Sequence, residues 1–297
     1  ELEMNMSESN KRNFIVHGSI LAIAGILVRI IGMLYRIPVV NIIGSEGNGI
    51  YGAAFNIYNI MLVLSSYGLP MAVSKLVSAR FTKKRYKSAA KVLRCSLMVA
   101  VCTGGIAALL VFFGASFIEN VIYGGGLPGL AIPLRILAPT IFLVAILGVI
   151  RGFFQGQSTM IPTAVSQILE QIVNAIVSIA AGYGMMKAFA SSPDVAAYGA
   201  AGSTLGTAMG ALTAVLFMGF LYAVYTPTFN RLKRKDRHTE NQSTGQICKI
   251  IIYTMIPIIL GQTFYQISAL IDDVMFSNIM VGRDITKSIS MDLGNFS

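Results

Sequence analysis

LVRIIGMLYRIPVV, residues 27–40, lies within an apolar run from Phe14 to Ile43, yet it carries Arg29 and Arg36. A run of this length and character predicts a membrane-spanning helix, which needs ~20 mostly apolar residues. One arginine at the centre of such a helix costs ~2.5–3.5 kcal/mol, and a pair ~5–7 kcal/mol if the costs add. That cost is tolerable where the arginines line water or meet a partner. Alternatively, Arg36 snorkels to the headgroups and Arg29 forms a structural ion pair.

Further apolar runs fall near 50–78, 95–118, 130–150, 160–186, 199–225 and 247–280, giving seven predicted spanning helices. The bulk composition agrees. The chain has 297 residues, 55% hydrophobic and 12% charged, with mean hydropathy +0.69. Soluble domains carry about 25% charged residues, so the fold class expected is an all-α membrane protein. The Phe14–Ile43 run is too long for a removable signal peptide and lacks a small-residue cleavage pattern, so it is expected to remain.

Net charge is +10, and its placement matters more than its size. Arg80, Lys83, Lys84, Arg85, Lys87, Lys91 and Arg94 separate the second and third runs. Arg151 follows the fourth, and Arg231, Lys233, Arg234, Lys235, Arg237 and Lys249 separate the sixth and seventh. The alternate loops GSEGNG, ENVIYGGGLPG and KAFASSPDVAAYG hold only Lys187. Positive residues mark the cytoplasmic side. The expectation is a multi-pass protein of the cell membrane with a cytoplasmic N-terminus, its basic loops bordering anionic lipid. Nucleic acid is not an expected partner, since no soluble domain is present to host it.

Residues 1–13 read as a cytoplasmic tail, 14–225 as a six-helix lobe and 226–246 as a cytoplasmic linker. Residues 247–297 read as the first helix of a second lobe plus an outer segment, because many transporters are built of two similar halves.

The polar residues inside the spans are the candidate site. Gly25, Arg29, Gly32 and Arg36 stand at i, i+4, i+7 and i+11, and seven residues turn a helix through about 700°, so both arginines face one way. Pro38 is expected to bend the far end of this helix. In the fifth run Gln167, Glu170, Gln171, Asn174 and Ser178 form a polar stripe at i, i+3, i+4, i+7 and i+11. Counted at ~1.5 Å per residue, Glu170 lies ~15 Å deep and Arg29 ~22 Å, so pairing is geometrically possible. The stripe fits a wet cavity or interhelical glue.

Asn56, Asn59, Ser65, Ser66, Gln262 and Gln266 are weaker polar signals. Asp272, Asp273 and Arg135 read as interfacial. Gly202, Gly206 and Gly210 repeat every fourth residue, which predicts close packing rather than chemistry. Cys95, Cys102 and Cys248 have no metal-ligand spacing, and His17 and His238 are too far apart to suggest a site. No HExxH, GxSxG or Walker sequence occurs, so the chain is not expected to be an enzyme or its own ATPase.

RIIGMLYRIPVVNIIGSEGNGIYGAAFNIY, GLPMAVSKLVSAR and RGFFQGQSTMIPTAVSQILEQIVN together resemble the multidrug/oligosaccharidyl-lipid/polysaccharide flippase superfamily. The nearest branch is that of the lipid II flippases and stage V sporulation protein B, and the likeness covers about 14–280. The resemblance implies two MATE-like six-helix lobes in a V, and flipping of undecaprenyl-pyrophosphate-linked cell-wall precursors by alternating access. It implies a role in peptidoglycan or polysaccharide biosynthesis, with a link to sporulation from the branch alone. It implies Arg29 and Arg36 as pyrophosphate-binding residues, with Glu170 and Gln171 beside them; Gln167 and Asn174 of the same stripe complete the candidate substrate site. No cofactor is implied beyond a coupling cation, Na+ or H+, or the membrane potential. Implied partners are the lipid-linked saccharide, the bilayer and cell-wall synthesis proteins. Many relatives carry an arginine where this chain has Asn174, which implies a less basic cavity. Three other readings are a cation-coupled multidrug exporter, a non-transporting scaffold for cell-wall synthesis, and a membrane transferase acting on lipid-linked sugars, which lacks a catalytic acid cluster. The arginines disfavour the exporter, and the polar helix faces disfavour the scaffold.

Overall fold

The computed structural model describes the backbone over residues 2–237 and 242–281, and side chains from residue 18 onward except at 238–241, 265, 266, 268, 269, 273 and 280–297. Of the residues singled out above, His238, the side chains of His17, Gln266 and Asp273, and the segment 282–297 lie outside these. Every regular element among the described residues is helical: α1 (Leu2–Ser65), α2 (Leu69–Thr82), α3 (Tyr86–Phe117), a π-helical turn (Ile118–Ile122), α4 (Ala131–Gln155), α5 (Ile161–Ala188), α6 (Val195–Lys235) and α7 (Thr244–Val281). Six apolar stretches of these helices are long enough to cross a membrane. The first, Gly18–Thr82, has 65 residues, ~98 Å if straight against a ~30 Å hydrocarbon core. It breaks at Gly44, whose φ of 71° and ψ of 178° are not helical. Only glycine takes this conformation without steric cost. The break thus divides α1 into two membrane-length arms.

Four expectations change. The break in α1 is at Gly44, while Pro38 sits inside the helical arm. A turn at 66–68 splits the predicted second helix, because Pro70 near the start of α2 has no N–H to continue the ladder. Helix α6 runs ten residues into the predicted linker at 226–246. Phe229, 1% exposed, anchors that extension. Lys233, Arg234 and Lys235 occupy its last turn, where cations complement the helix dipole. Backbone helix also begins at Leu2, inside the segment read as a tail.

Two apolar clusters fill the lobe. One gathers Ile50, Tyr51, Tyr123, Leu127, Leu134 and Ile141 at the Gly44 end. The other gathers Leu69, Val73, Phe153, Met218, Phe229 and Ile247 at the basic end. Phe153 meets Phe81, Tyr222 and Phe229 edge to face, with ring centroids 5.3–6.4 Å apart, within the favourable range for aromatic pairs. Helix α4 belongs to both clusters, and more than half of its most apolar stretch is buried. Its first turn is fixed by Glu119, whose carboxylate accepts the N–H groups of Gly129 and Ala131 at 3.1 and 2.7 Å. An acid at a helix N-terminus satisfies donors that have no partner within the helix.

Glycines set the closest contacts. An added Cβ at Gly210 would stand 2.6 Å from the Glu170 carbonyl oxygen, and one at Gly206 would overlap Ser178 and the Asn174 carbonyl. The repeat in α6 is therefore the seam against α5, as its spacing predicts. Gly152 and Gly156 of the RGFFQGQ motif do the same for α4 against α2, with Cβ positions 2.6 Å from the Pro70 carbonyl and 2.7 Å from Val77.

Candidate functional site

The first arm of α1 is helical through Arg29 and Arg36, so the two arginines share a face, and both are exposed. Around the helix they stand at the border between a packed face (Ala24, Tyr35, Val39) and an open apolar one (Ile26, Ile30, Met33, Ile37). Tyr35 and Arg36 lie beside buried Tyr51 of the second arm.

Helix α5 packs along this border. The Gln171 amide rests against Gly32, where an added Cβ would be 3.2 Å from Nε2. A side chain at residue 32 would push that amide away from α1. Asn174 donates from Nδ2 to Tyr35 Oη at 3.2 Å, and its Oδ1 accepts the Ser178 hydroxyl at 2.9 Å. Thr207 Oγ1 reaches the same oxygen at 3.5 Å. Ser178 Oγ also contacts the Ser203 carbonyl at 2.8 Å. Asn174 and Ser178 are buried, and in this arrangement they join α1, α5 and α6. That part of the stripe acts as glue, one of the two readings its spacing allows.

Glu170 pairs with Arg151 of α4. Its Oε2 accepts Arg151 Nη2 at 2.7 Å, with both side chains partly buried. Arg151 Nε donates to Ser166 Oγ at 2.9 Å, and that hydroxyl donates to the Thr163 carbonyl. The expected Arg29–Glu170 pairing is replaced because α4 extends through Gln155. Arg151, read from sequence as a loop cation, therefore sits one turn inside α4 and opposite Glu170. Tyr58, from the second arm of α1, faces the same carboxylate. Gln167 is half-buried on the same helix.

The structure thus brings Arg36, Tyr35, Gln171 and Asn174 together along the α1–α5 seam. Glu170 sits beside Arg151, and Arg29 stays exposed two turns from Arg36. Arg151 and Tyr35 were not singled out as site residues. Tyr35 carries one signal, its place next to Arg36; Arg151 carries another, its place at the head of RGFFQGQ, but its partner lies 19 residues on, across the connection between α4 and α5. Cavities of about 470 Å³ near Pro70 and Ser158 and about 440 Å³ near Lys91 are lined by neither arginine of α1. No cluster of three or more potential metal ligands occurs among the described residues. The chemistry available on the seam is electrostatic: guanidinium and amide donors on neighbouring helices.

Comparison with known proteins gives one consistent picture. A family model described as polysaccharide biosynthesis protein matches residues 15–297. The lipid II flippase MurJ of Bacillus subtilis (strain 168) is 34% identical over 176 residues, 57% of this chain and 32% of its own. Stage V sporulation protein B of the same organism is 30% identical over 210 residues, 70% and 39% of the two chains. Its uncharacterized membrane protein YabM is 27% identical over 286 residues, 96% and 51%. The chain thus spans about half the length of these relatives or less. Among solved structures, a MOP superfamily transporter from Pyrococcus furiosus, described as having a binding pocket of reverse polarity, superposes with TM-score 0.67 at 16% identity, covering 96% of this chain and 63% of that one. An outward-facing multidrug resistance MATE family transporter gives TM-score 0.66 at 16% identity over 96% and 63%. At these identities the likeness is one of fold: a MATE-like helical lobe.

Proposed function

The chain belongs to the polysaccharide biosynthesis protein family, and from that membership we propose that it moves an undecaprenyl-pyrophosphate-linked cell-wall precursor across the membrane by alternating access. Arg29 and Arg36 attract the pyrophosphate. Gln171 adds a donor between them, and Gln167 and Glu170 border the same path. A coupling cation or the membrane potential drives the cycle. The basic end faces the cytoplasm, which puts the N-terminus inside.

One observation supports this reading above the others: two exposed guanidinium groups share a face in a membrane-length helix while the nearby acid, Glu170, is engaged by Arg151. An exporter of cationic drugs gains nothing from that face. A guanidinium pair suits a pyrophosphate, which takes charge-assisted bonds from both. A scaffold has no use for the ~5–7 kcal/mol that two arginines cost at membrane depth.

The test is complementation by the full-length protein in cells depleted of their lipid II flippase, followed by survival and precursor accumulation. The wild type is expected to rescue. Arg29→Ala with Arg36→Ala is expected to reach the membrane at wild-type level and fail to rescue. Rescue by the double variant would remove the arginines from the mechanism. Failure of the inserted wild type would remove lipid II as the substrate.

A further inference from the structure

A second basic feature lies away from the α1–α5 seam. Lys87, Lys91, Arg94 and Met98 of α3 stand at i, i+4, i+7 and i+11, on one helix face. With Ala90, Cys95, Lys233 of α6 and Thr244 of α7 they line a groove of about 440 Å³. Among the described lining residues there are four cations and no carboxylate. Asp236 is buried behind them and accepts the Lys87 backbone N–H at 2.8 Å.

The groove is built from three elements held in register. Lys91 Nζ donates to the Gln242 carbonyl, and Cys95 Sγ to the Thr244 carbonyl at 3.9 Å. Lys233 Nζ lies 5.1 Å over the Phe229 ring. These contacts hold like charges close together, and like-charge pairs at i, i+4 destabilise a helix. A bound anion relieves that repulsion.

The groove also has a polarity along its length. From Lys87 to Met98 is a rise of ~16 Å, more than the ~5–8 Å depth of one headgroup layer. With Arg94 set at headgroup level, Lys87 stands ~10 Å toward the water and Met98 ~6 Å deeper, at the edge of the hydrocarbon. The α3 face continues with Met98 at 58% and Val101 at 47% exposure, an open apolar track below the charges. A soluble phosphate uses only the upper half of such a site. A phospholipid uses both.

We propose that this groove between α3, α6 and α7 is a binding site for an anionic phospholipid, with the lipid phosphate on Lys87, Lys91, Arg94 and Lys233 and an acyl chain along Met98 and Val101. Basic pockets between spanning helices on the cytoplasmic side are suited to such headgroups. The proposal rests on the orientation proposed above, with the basic end at the cytoplasm, but not on which substrate the protein moves.

The test is native mass spectrometry of the detergent-solubilised full-length protein, titrated with phosphatidylglycerol, phosphatidylcholine or inorganic phosphate. Phosphatidylglycerol is expected to bind in preference to phosphatidylcholine and to survive millimolar inorganic phosphate. Lys91→Gln with Arg94→Gln is expected to weaken it by about fivefold per charge, roughly 25-fold together. The single Arg94→Gln change, at an exposed position, gives a milder version of the same shift in a background with less risk to folding. Lys83→Gln with Lys84→Gln, exposed at the same end but outside the groove, is expected to leave binding unchanged. Equal retention of the two lipids overturns the proposal, as does equal loss from both double variants. Displacement by inorganic phosphate alone replaces the lipid with a soluble anion and overturns it too.

Discussion

Arg151 and Glu170 meet at 2.7 Å with 14% and 26% of their side chains exposed. At that burial neither charge is fully solvated, so removing one partner leaves a poorly compensated ion. Glu170→Gln is expected to cost ~3 kcal/mol, the low end for a buried pair because the carboxylate keeps some solvent. Arg151→Met should cost a similar amount, and the double variant much less than the sum. Thermal unfolding of the three variants in detergent checks this; strictly additive losses would show that the pair is not coupled. The sequence made Glu170 conspicuous as an acid within an apolar helix and made Arg29 and Arg36 conspicuous as cations. It did not show which cation meets the acid. Pairing by depth compares positions along the membrane normal, whereas the choice between Arg29 and Arg151 turns on which helix lies alongside.

Helices α5 and α6 are joined by the most sterically demanding contact in the lobe. Alanine in place of glycine normally favours a helix by ~0.5–1 kcal/mol. At Gly210 the new Cβ would instead meet a backbone carbonyl that has no rotamer to yield, and overpacking of this kind costs ~1–3 kcal/mol. Gly210→Ala is therefore expected to lower the unfolding temperature in detergent. Gly219→Ala, on the same helix with nothing within 4 Å of its Cβ, is expected to hold or raise it. A fall for both would mean that helix flexibility, not the seam, decides. The four-residue glycine spacing made this seam legible without coordinates. Helix ends were less so. Phe229 carries α6 past Pro227 because it docks on Phe81 and Phe153, a long-range contact that local composition does not contain.

At the scale of the whole lobe, the apolar runs gave the order of the crossings, although the first two of the seven predicted join into one long stretch and leave six, while the central place of α4 came only with packing. Its sequence is among the most apolar of the helices, but that alone does not mark it as the core, since a lipid-facing helix is as apolar as a buried one. The proposed orientation makes a direct prediction. In a background with Cys95, Cys102 and Cys248 replaced by serine, Lys84→Cys should react with a membrane-impermeant maleimide only after the inner face is opened. Ser191→Cys, at the other end, should react in intact cells. The reverse pattern would invert the topology. One consequence follows from α4 passing through both apolar clusters. Leu134 and Ile141 fix it in the packing at one end, and Phe153 and Phe154 at the other. Close-packed interiors pass on strain rather than absorb it. A push on the lobe near Gly44 therefore reappears near the basic loops as tilt. The lobe behaves as a stiff rocker with α4 for its beam.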